Sequence, residues 1–157
     1  MDRDINMAEE NLSRREREKL AHRAEIMDAA LRVFARKGFF QATLDEVAQE
    51  AEFSKGALYL YFSSKEDILY TALKEKLLNF NLNLARDVMK GEKCFYDELK
   101  NYFVQCAKLS YREKDLLTVL MAQRAAGYKA FTREKAEAFC AYHHELDATA
   151  LQCIARA

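Results

Sequence analysis

The sequence contains no proline and no tryptophan, and only 4 of its 157 residues are glycine. Valine, isoleucine and threonine are also few, whereas alanine and leucine are the two most frequent residue types. Strands draw on β-branched residues and tight turns on glycine and proline, while alanine and leucine favour helices. The composition argues against a sandwich, a barrel or a doubly wound sheet and predicts an all-α protein.

Several other features are missing. No apolar run approaches the roughly 18 residues that span a bilayer, and the first 25 residues are too charged for a signal peptide, so we expect a cytoplasmic protein without a membrane segment. None of the common nucleotide-binding, hydrolase or zinc-protease motifs occurs, which predicts no catalysis and no cofactor. The cysteines Cys94, Cys106, Cys140 and Cys153 form no C-x-x-C pair and are expected to be buried thiols.

The chain becomes patterned after a polar segment, residues 1–13, which we expect to be a flexible tail. A stripe of apolar residues at steps of three and four then predicts a helix over 15–37: Leu20, Ala24, Met27, Leu31 and Phe34. Lys37-Gly38 is typical of a helix end with a left-handed cap. The basic run 14–23 is interleaved with Glu16 and Glu18, so it is either a solvated helix face or an arm that contacts a partner.

Two short helices and a long one follow. Thr43 and Glu46 form a capping box at the start of a helix over 44–51. Ser54 is a good cap for a helix over 55–62, whose Leu58 and Phe62 would face inward. Ser63, Ser64, Glu66 and Asp67 favour the start of a long helix over 65–90, which Gly91 ends.

Weaker signals predict helices near 94–110, 113–126 and 132–155, with Gly127 between the last two. We therefore expect two helical domains, an N-terminal one over 14–64 and a C-terminal one over 65–157.

Two short helices with a tight connection, packed on a longer first helix, form a helix-turn-helix unit. Residues 55–61 span about 10 Å, which fits a DNA major groove about 12 Å wide. The outer face would carry Lys55, Gly56, Ala57, Tyr59, Leu60 and Tyr61. Their charge, phenol donors and small side chains suit phosphates and base edges.

The segment from Gly38 to Leu44 followed by Val47-Ala48, and the segment from Ser54 to Phe62 followed by Lys65-Glu66 and Ile68-Leu69, resemble the DNA-binding half of the TetR/AcrR family of bacterial transcriptional regulators. The resemblance covers residues 17–70. It implies that 14–64 binds DNA and that 65–157 binds a ligand and dimerises. The protein would then be a homodimeric repressor on a palindromic operator, released when a small hydrophobic effector enters the C-terminal domain.

Carried over by position, the family's operator contacts fall on Thr43, Ser54, Lys55, Gly56, Ala57, Tyr59, Tyr61 and Lys65. Thr43, Tyr59 and Lys65 would hold phosphates, with Lys55, Gly56 and Tyr61 nearest the bases. Two positions depart from the family pattern. Glu52 stands where glycine is usual, which predicts a positive φ at a residue with a side chain, and Tyr61 stands where histidine is frequent.

The segment 12–65 is only weakly basic, since its 10 Lys or Arg and 8 Asp or Glu give a net charge of +2. We therefore expect a shallow salt dependence of DNA binding.

Candidate effector-pocket residues are aromatic or apolar and could equally be plain core: Phe80, Leu84, Phe95, Phe103, Tyr111, Met121 and Tyr128. Cys140, His143 and His144 have a spacing that could bind a metal, but too few ligands are near, so no metal site is predicted. Two alternatives to a regulator stay open: a helical binding or adaptor protein without an operator, and a metal- or thiol-dependent enzyme.

Overall fold

The computed structural model describes residues 13–88, 100, 104, 107–108 and 110–141, and for residues 78–88 the description is limited to the backbone. The helices with defined bounds are α1 (Arg14–Lys37), α2 (Leu44–Ala51), α3 (Lys55–Leu58), α4 (Lys65–Val88) and α5 (Lys114–Ala125). A further helix, α6, covers 133–141. No strand occurs in these described ranges, and the all-α prediction is confirmed.

Helix α1 begins with a capping box that the sequence reading missed. The Glu16 N–H donates to Ser13 Oγ over 3.3 Å, and the Ser13 N–H donates to Glu16 Oε2 over 2.8 Å. Hydrogen bonds from the Ser13 side chain and backbone lower the pKa of Glu16. Ser13, which the sequence assigned to the tail, is therefore the N-cap of α1.

Helix α1 ends at Lys37, as predicted, but the residue after it has a different conformation from the one expected. Gly38 has φ 81° and ψ 149°, and its N–H donates to the Phe34 carbonyl over 2.9 Å. The positive φ still favours glycine, yet the extended ψ shows that the left-handed helical cap predicted here does not form. The chain instead extends into the turn that leads to α2.

The core forms where α1 meets α2, α4 and α5. Its most deeply buried side chains, each with at most 2% of its surface exposed, include Ile26, Val33, Phe34, Val47, Leu58, Ile68, Leu69, Leu73, Leu116 and Val119. Leu20 and Ala24, predicted to be part of the buried stripe, are exposed. The stripe prediction fails there because the first turns of α1 extend beyond the core, which begins at Ile26.

Helix α4 belongs to both halves of the chain. Four residues of its predicted stripe are buried (Ile68, Ala72, Leu73 and Leu77), while Phe80, Leu84 and Val88 lie outside the described side chains. Lys76 Nζ lies 2.5 Å from Asp28 Oδ1 of α1 and 3.7 Å from Glu113 Oε2, directly before α5. Arg23 of α1 pairs with Glu75 over 2.6 Å. These ion pairs and the shared core connect α1, α4 and α5.

Four aromatic residues, contributed by α4, by the turn that joins α5 to α6 and by α6, pack together: Tyr70, Tyr128, Phe131 and Phe139. Gly127 has φ 63° and Tyr128 has φ 55°, which confirms the predicted break between the two helices. Burial raises the pKa of Tyr128 above its ordinary value.

The predictions for 1–12, 89–99 and 142–157 lie outside the described residues, as does most of the helix predicted over 94–110. Of the four cysteines only Cys140 is described, and it is half-buried rather than fully buried. Within the described part of the chain, no helix is both long and apolar enough to cross a membrane.

Candidate DNA-binding surface

A tight turn holds α2 and α3 together. Glu52 adopts the left-handed conformation, with φ 61° and ψ 31°, as predicted from its position where glycine is usual. The Phe53 N–H donates to the Ala48 carbonyl over 2.9 Å, which closes the end of α2. Ser54, the next residue, already caps α3. The connection is thus as short as a helix-turn-helix unit requires.

Both short helices have the predicted caps. The Glu46 N–H donates to Thr43 Oγ1 over 3.3 Å, and the Thr43 N–H donates to Glu46 Oε2 over 3.0 Å. The Ala57 N–H donates to Ser54 Oγ over 3.1 Å. Thr43 and Ser54 are both exposed at the starts of their helices, where the free ends of the helix dipoles favour an anion.

Helix α3 is shorter than predicted. It ends at Leu58 rather than near Phe62, because the N–H groups of Leu60 and Tyr61 donate to carbonyls three residues back over 3.1 and 3.0 Å. The chain therefore tightens into turns over 59–61. Leu58 and Phe62 are nevertheless buried, as predicted.

The outer side of this segment is open to solvent. Lys55 and Gly56 are exposed and Ala57 is half-buried. Tyr59 is 53% exposed and Leu60 is 77% exposed, an unusual fraction for a large apolar side chain. Tyr59, Leu60 and the start of α3 thus form one projecting edge.

Tyr61 does not share that exposure, contrary to the prediction that it lies on the outer face. It is half-buried, and its hydroxyl lies 3.1 Å from Nδ1 of His22 on α1. Its ring packs edge-on against Phe53, with ring centroids 6.5 Å apart. The tightening after Leu58 turns this side chain back toward α1.

Lys55 is paired within the protein. Its Nζ donates to Asp45 Oδ2 of α2 over 2.8 Å. This hydrogen bond and the charge of Asp45 raise the pKa of Lys55. Both side chains are exposed, so the pair is weak and the ammonium can exchange Asp45 for another anion.

Lys65 has a structural role that the sequence did not predict. Its Nζ donates to the carbonyl oxygens of Phe39 and Ala42 over 2.9 and 2.8 Å, and it lies 4.5 Å from the centre of the Phe39 ring. The ammonium therefore fixes the turn between α1 and α2, which carries Thr43.

Other cations of this region are paired with carboxylates of α2. Glu50 accepts from both Arg32 and Arg36 over 2.8 Å, and Lys37 pairs with Glu46. Hydrogen bonds from Arg36 and then Arg32 lower the pKa of Glu50, and the bond from Lys37 lowers the pKa of Glu46. These pairs anchor α2 on α1 and leave little free positive charge on the latter half of α1.

The candidate effector residues are not brought together in the described part of the chain. Tyr111 is 87% exposed and Met121 is 54% exposed, so these two lie on the surface instead of lining a cavity as predicted. Tyr128 belongs to the aromatic cluster of the core. Phe80, Leu84, Phe95 and Phe103 fall outside the described side chains.

The metal alternative depends on residues that are mostly not described. His143 and His144 lie outside the described residues, and among those described no group of three His, Cys, Asp or Glu side chains could hold a metal ion.

Residues 26–71 match the pattern of bacterial regulatory proteins of the tetR family. The chain is 39% identical over 64 residues to a "Fatty acid metabolism regulator protein" of Bacillus subtilis (strain 168), a match that covers 41% of this chain and 33% of that protein. The chain spans about a third of the length of such curated relatives.

Solved structures share its architecture. The transcriptional regulator FadR from Bacillus subtilis, solved in complex with stearoyl-CoA, superposes with a TM-score of 0.62 at 26% identity, over 78% of this chain and 65% of that one. A TetR family transcription regulator from Marinobacter aquaeolei VT8 has a TM-score of 0.73 over 92% of this chain and 71% of that one, with 17% identity, a likeness of fold alone.

The two capped helices, their tight turn and the projecting edge beyond α3 form a helix-turn-helix unit, in the part of the chain that matches these transcription regulators. Over this N-terminal domain the chain is similar to bacterial regulatory proteins of the tetR family.

Proposed function

We propose that this protein is a sequence-specific DNA-binding regulator that represses transcription as a homodimer on a palindromic operator. The observation that carries the proposal is the exposed edge formed by Lys55, Gly56, Tyr59 and Leu60, directly beyond a helix-turn-helix. These side chains offer a cation, a phenol and an apolar contact to phosphates and thymine methyl groups.

Gly56 supports the proposal because the fold does not require glycine there. A side-chain carbon at this position would meet only Ser54 Oγ, at 4.0 Å, and the residue lies inside a short helix that glycine weakens. A glycine that costs helix stability without relieving a clash in the free protein is explained by close approach of another molecule, such as a DNA backbone.

Binding to duplex DNA is the first test. Fluorescence anisotropy with a duplex from directly upstream of the gene, against a scrambled duplex of equal length, should show preference for the former. Lys55→Ala should weaken binding to the upstream duplex about tenfold or more and reduce the preference. Lys129→Ala removes an equal charge from an exposed lysine far from this edge in the chain and should change affinity less than about twofold.

Equal binding to both duplexes, or no binding to either, would contradict the proposal and favour the helical adaptor alternative. Light scattering of the full chain, alone and with the duplex, tests the homodimer.

Effector release is the second part of the proposal. Helix α4 joins the DNA-binding domain to α5 through its buried face and Lys76. A ligand that moves α4 would change the separation of the two α3 segments in a dimer, which must match half-sites about 34 Å apart. The effector we propose is small and hydrophobic.

Stearoyl-CoA is the first compound to test, because a structurally similar regulator was solved with it. We expect it to release the upstream duplex, whereas coenzyme A alone should not. Release by neither compound, nor by a panel of other apolar molecules, would count against effector control while leaving DNA binding intact.

A further inference from the structure

His22 connects α1 to both ends of the α3 segment. Its ring packs edge-on against Phe53, just before α3, with centroids 5.2 Å apart, and against Tyr61, just after it, with centroids 6.2 Å apart. Its Nδ1 lies 3.1 Å from the Tyr61 hydroxyl oxygen, across 39 positions of sequence. His22 and Tyr61 are both half-buried, so this contact is better protected from water than a surface pair.

The direction of the hydrogen bond decides what Tyr61 can offer to DNA. A phenol has one hydrogen to donate, and a neutral imidazole has one nitrogen that donates and one that accepts. If Nδ1 accepts, the Tyr61 hydrogen is used inside the protein and its oxygen presents only lone pairs. If Nδ1–H donates, the Tyr61 hydrogen is free to point outward.

Phosphate oxygens are acceptors, so a nearby duplex favours the second arrangement. Tyr61 is packed against α1 and projects less than Tyr59 and Leu60, which places it toward the rim of a groove rather than at the base edges. The rim is lined by phosphates.

We propose that His22 is a positioning residue for DNA binding: its Nδ1–H donates to Tyr61 Oη and turns the Tyr61 hydroxyl hydrogen toward a phosphate of the bound duplex. The inference rests on the proposed DNA-binding function. It assigns to α1 a part in recognition through Tyr61, and it gives Tyr61 a phosphate role instead of the base contact that the family resemblance implied.

The experiment is a double-mutant cycle on the full chain, with affinity for the upstream duplex as the readout. His22→Leu keeps an apolar side chain but cannot donate, and Tyr61→Phe removes the hydroxyl. Each should weaken binding about tenfold, the usual scale for one hydrogen bond to a charged group. The double variant should be no weaker than Tyr61→Phe alone.

Two matched comparisons separate positioning from general damage to the fold. The amide nitrogen of asparagine can take the place of Nδ1 and that of glutamine the place of Nε2, so His22→Asn should keep affinity within about threefold while His22→Gln resembles His22→Leu. The loss caused by His22→Leu should persist in full in a Tyr59→Phe background, because Tyr59 is exposed and outside this contact.

Additive losses in the Tyr61→Phe cycle, or equal losses for the asparagine and glutamine variants, would overturn the role of His22. If Lys55→Ala still weakens binding in those same assays, the proposed function stands and only this inference fails. Thermal unfolding of each variant shows that the compared proteins are folded. If His22→Leu does not fold, the asparagine and glutamine variants with Tyr61→Phe provide the same test.

Discussion

The N-terminal helices and α5 begin in different ways. Helices α1 and α2 each start at a complete capping box, at Ser13 and at Thr43, so their ends are specified by residues three positions apart. At the start of α5, within the described residues, Glu113 makes no side-chain hydrogen bond to the helix backbone. Its carboxylate instead lies 3.7 Å from Lys76 of α4.

The two regions therefore owe their helix positions to different kinds of interaction. The DNA-binding domain is fixed by local chemistry and then packed, whereas α5 is placed mainly by its contacts with α1 and α4. Local signals survive changes elsewhere in the chain, but a helix placed by its neighbours moves when they move. This contrast is consistent with the proposed mechanism, in which a rigid N-terminal domain lies beside a C-terminal domain that can shift.

The largest effect should come from the helix that the two regions share. Leu73→Ala removes a fully buried side chain of α4 and should lower the free energy of unfolding by about 3 kcal/mol. Met121→Ala on exposed α5 surface should change it by less than about 0.5 kcal/mol. Urea denaturation followed by circular dichroism measures both, and similar losses would show that α5 is more deeply packed than its exposure indicates.

Lys65→Met tests whether local hydrogen bonds stabilise the N-terminal helix-turn-helix domain. The change removes two hydrogen bonds from Lys65 Nζ to backbone carbonyls and should lower the free energy of unfolding by about 2 kcal/mol. Lys74→Met, at an exposed lysine of the same helix, is the matched control and should have little effect. If Lys65→Met weakens DNA binding without loss of stability, the lysine acts on DNA directly, as the family resemblance implied.

Substitutions at the N-cap positions of α2 and α5 test the difference between the two helix starts. Thr43→Ala removes the cap of α2 and should cost about 1 kcal/mol of stability. Glu113→Ala should cost less, because it caps nothing and faces a partly exposed lysine. Chemical denaturation of the two variants gives the comparison, and a larger loss of stability for Glu113→Ala would mean that α5 depends on the residue directly before it.

The smallest expected effect is a change with pH in the stability that Glu50 contributes. Glu50 has a pKa below its ordinary value of 4.5 because Arg36 and Arg32 donate hydrogen bonds to its carboxylate. Its contribution to stability is therefore complete above that ordinary value and is lost as pH falls through the lower folded pKa. The difference in stability between Glu50→Gln and the parent protein should therefore be constant above about pH 5 and should narrow as the pH falls from there to about pH 3. A constant difference across that range, in thermal unfolding curves, would show that the two arginines do not depend on the charge of Glu50.

Most of the N-terminal helix-turn-helix domain could be predicted from the sequence, because its helix ends and turns are set by residues close together in the chain. The caps at Thr43 and Ser54, the positive φ at Glu52 and the long helix from Lys65 all follow from residues within one or two turns. The length of α3 was predicted less well. Periodicity alone extended it to Phe62, whereas the contact of Tyr61 with His22 is a tertiary event between distant residues.

The same limit explains Lys65 and the pocket residues. Nothing near Lys65 in the sequence signals that its ammonium reaches the carbonyls of Phe39 and Ala42. Tyr111 and Met121 have the residue types of a cavity wall, but their exposure depends on how α5 and the residues before it pack on the rest of the chain, which no local pattern encodes.

The ammonium of Lys76, shared between Asp28 and Glu113, has a consequence for engineering. Truncation after residue 64, the predicted domain boundary, would remove four buried residues of α4 that complete the core of the N-terminal domain: Ile68, Leu69, Ala72 and Leu73. A chimaera that joins this N-terminal domain to the ligand-binding domain of another protein should therefore be fused after Leu77. The fused domain should also supply an acidic residue in place of Glu113, so that Lys76 keeps two carboxylate partners.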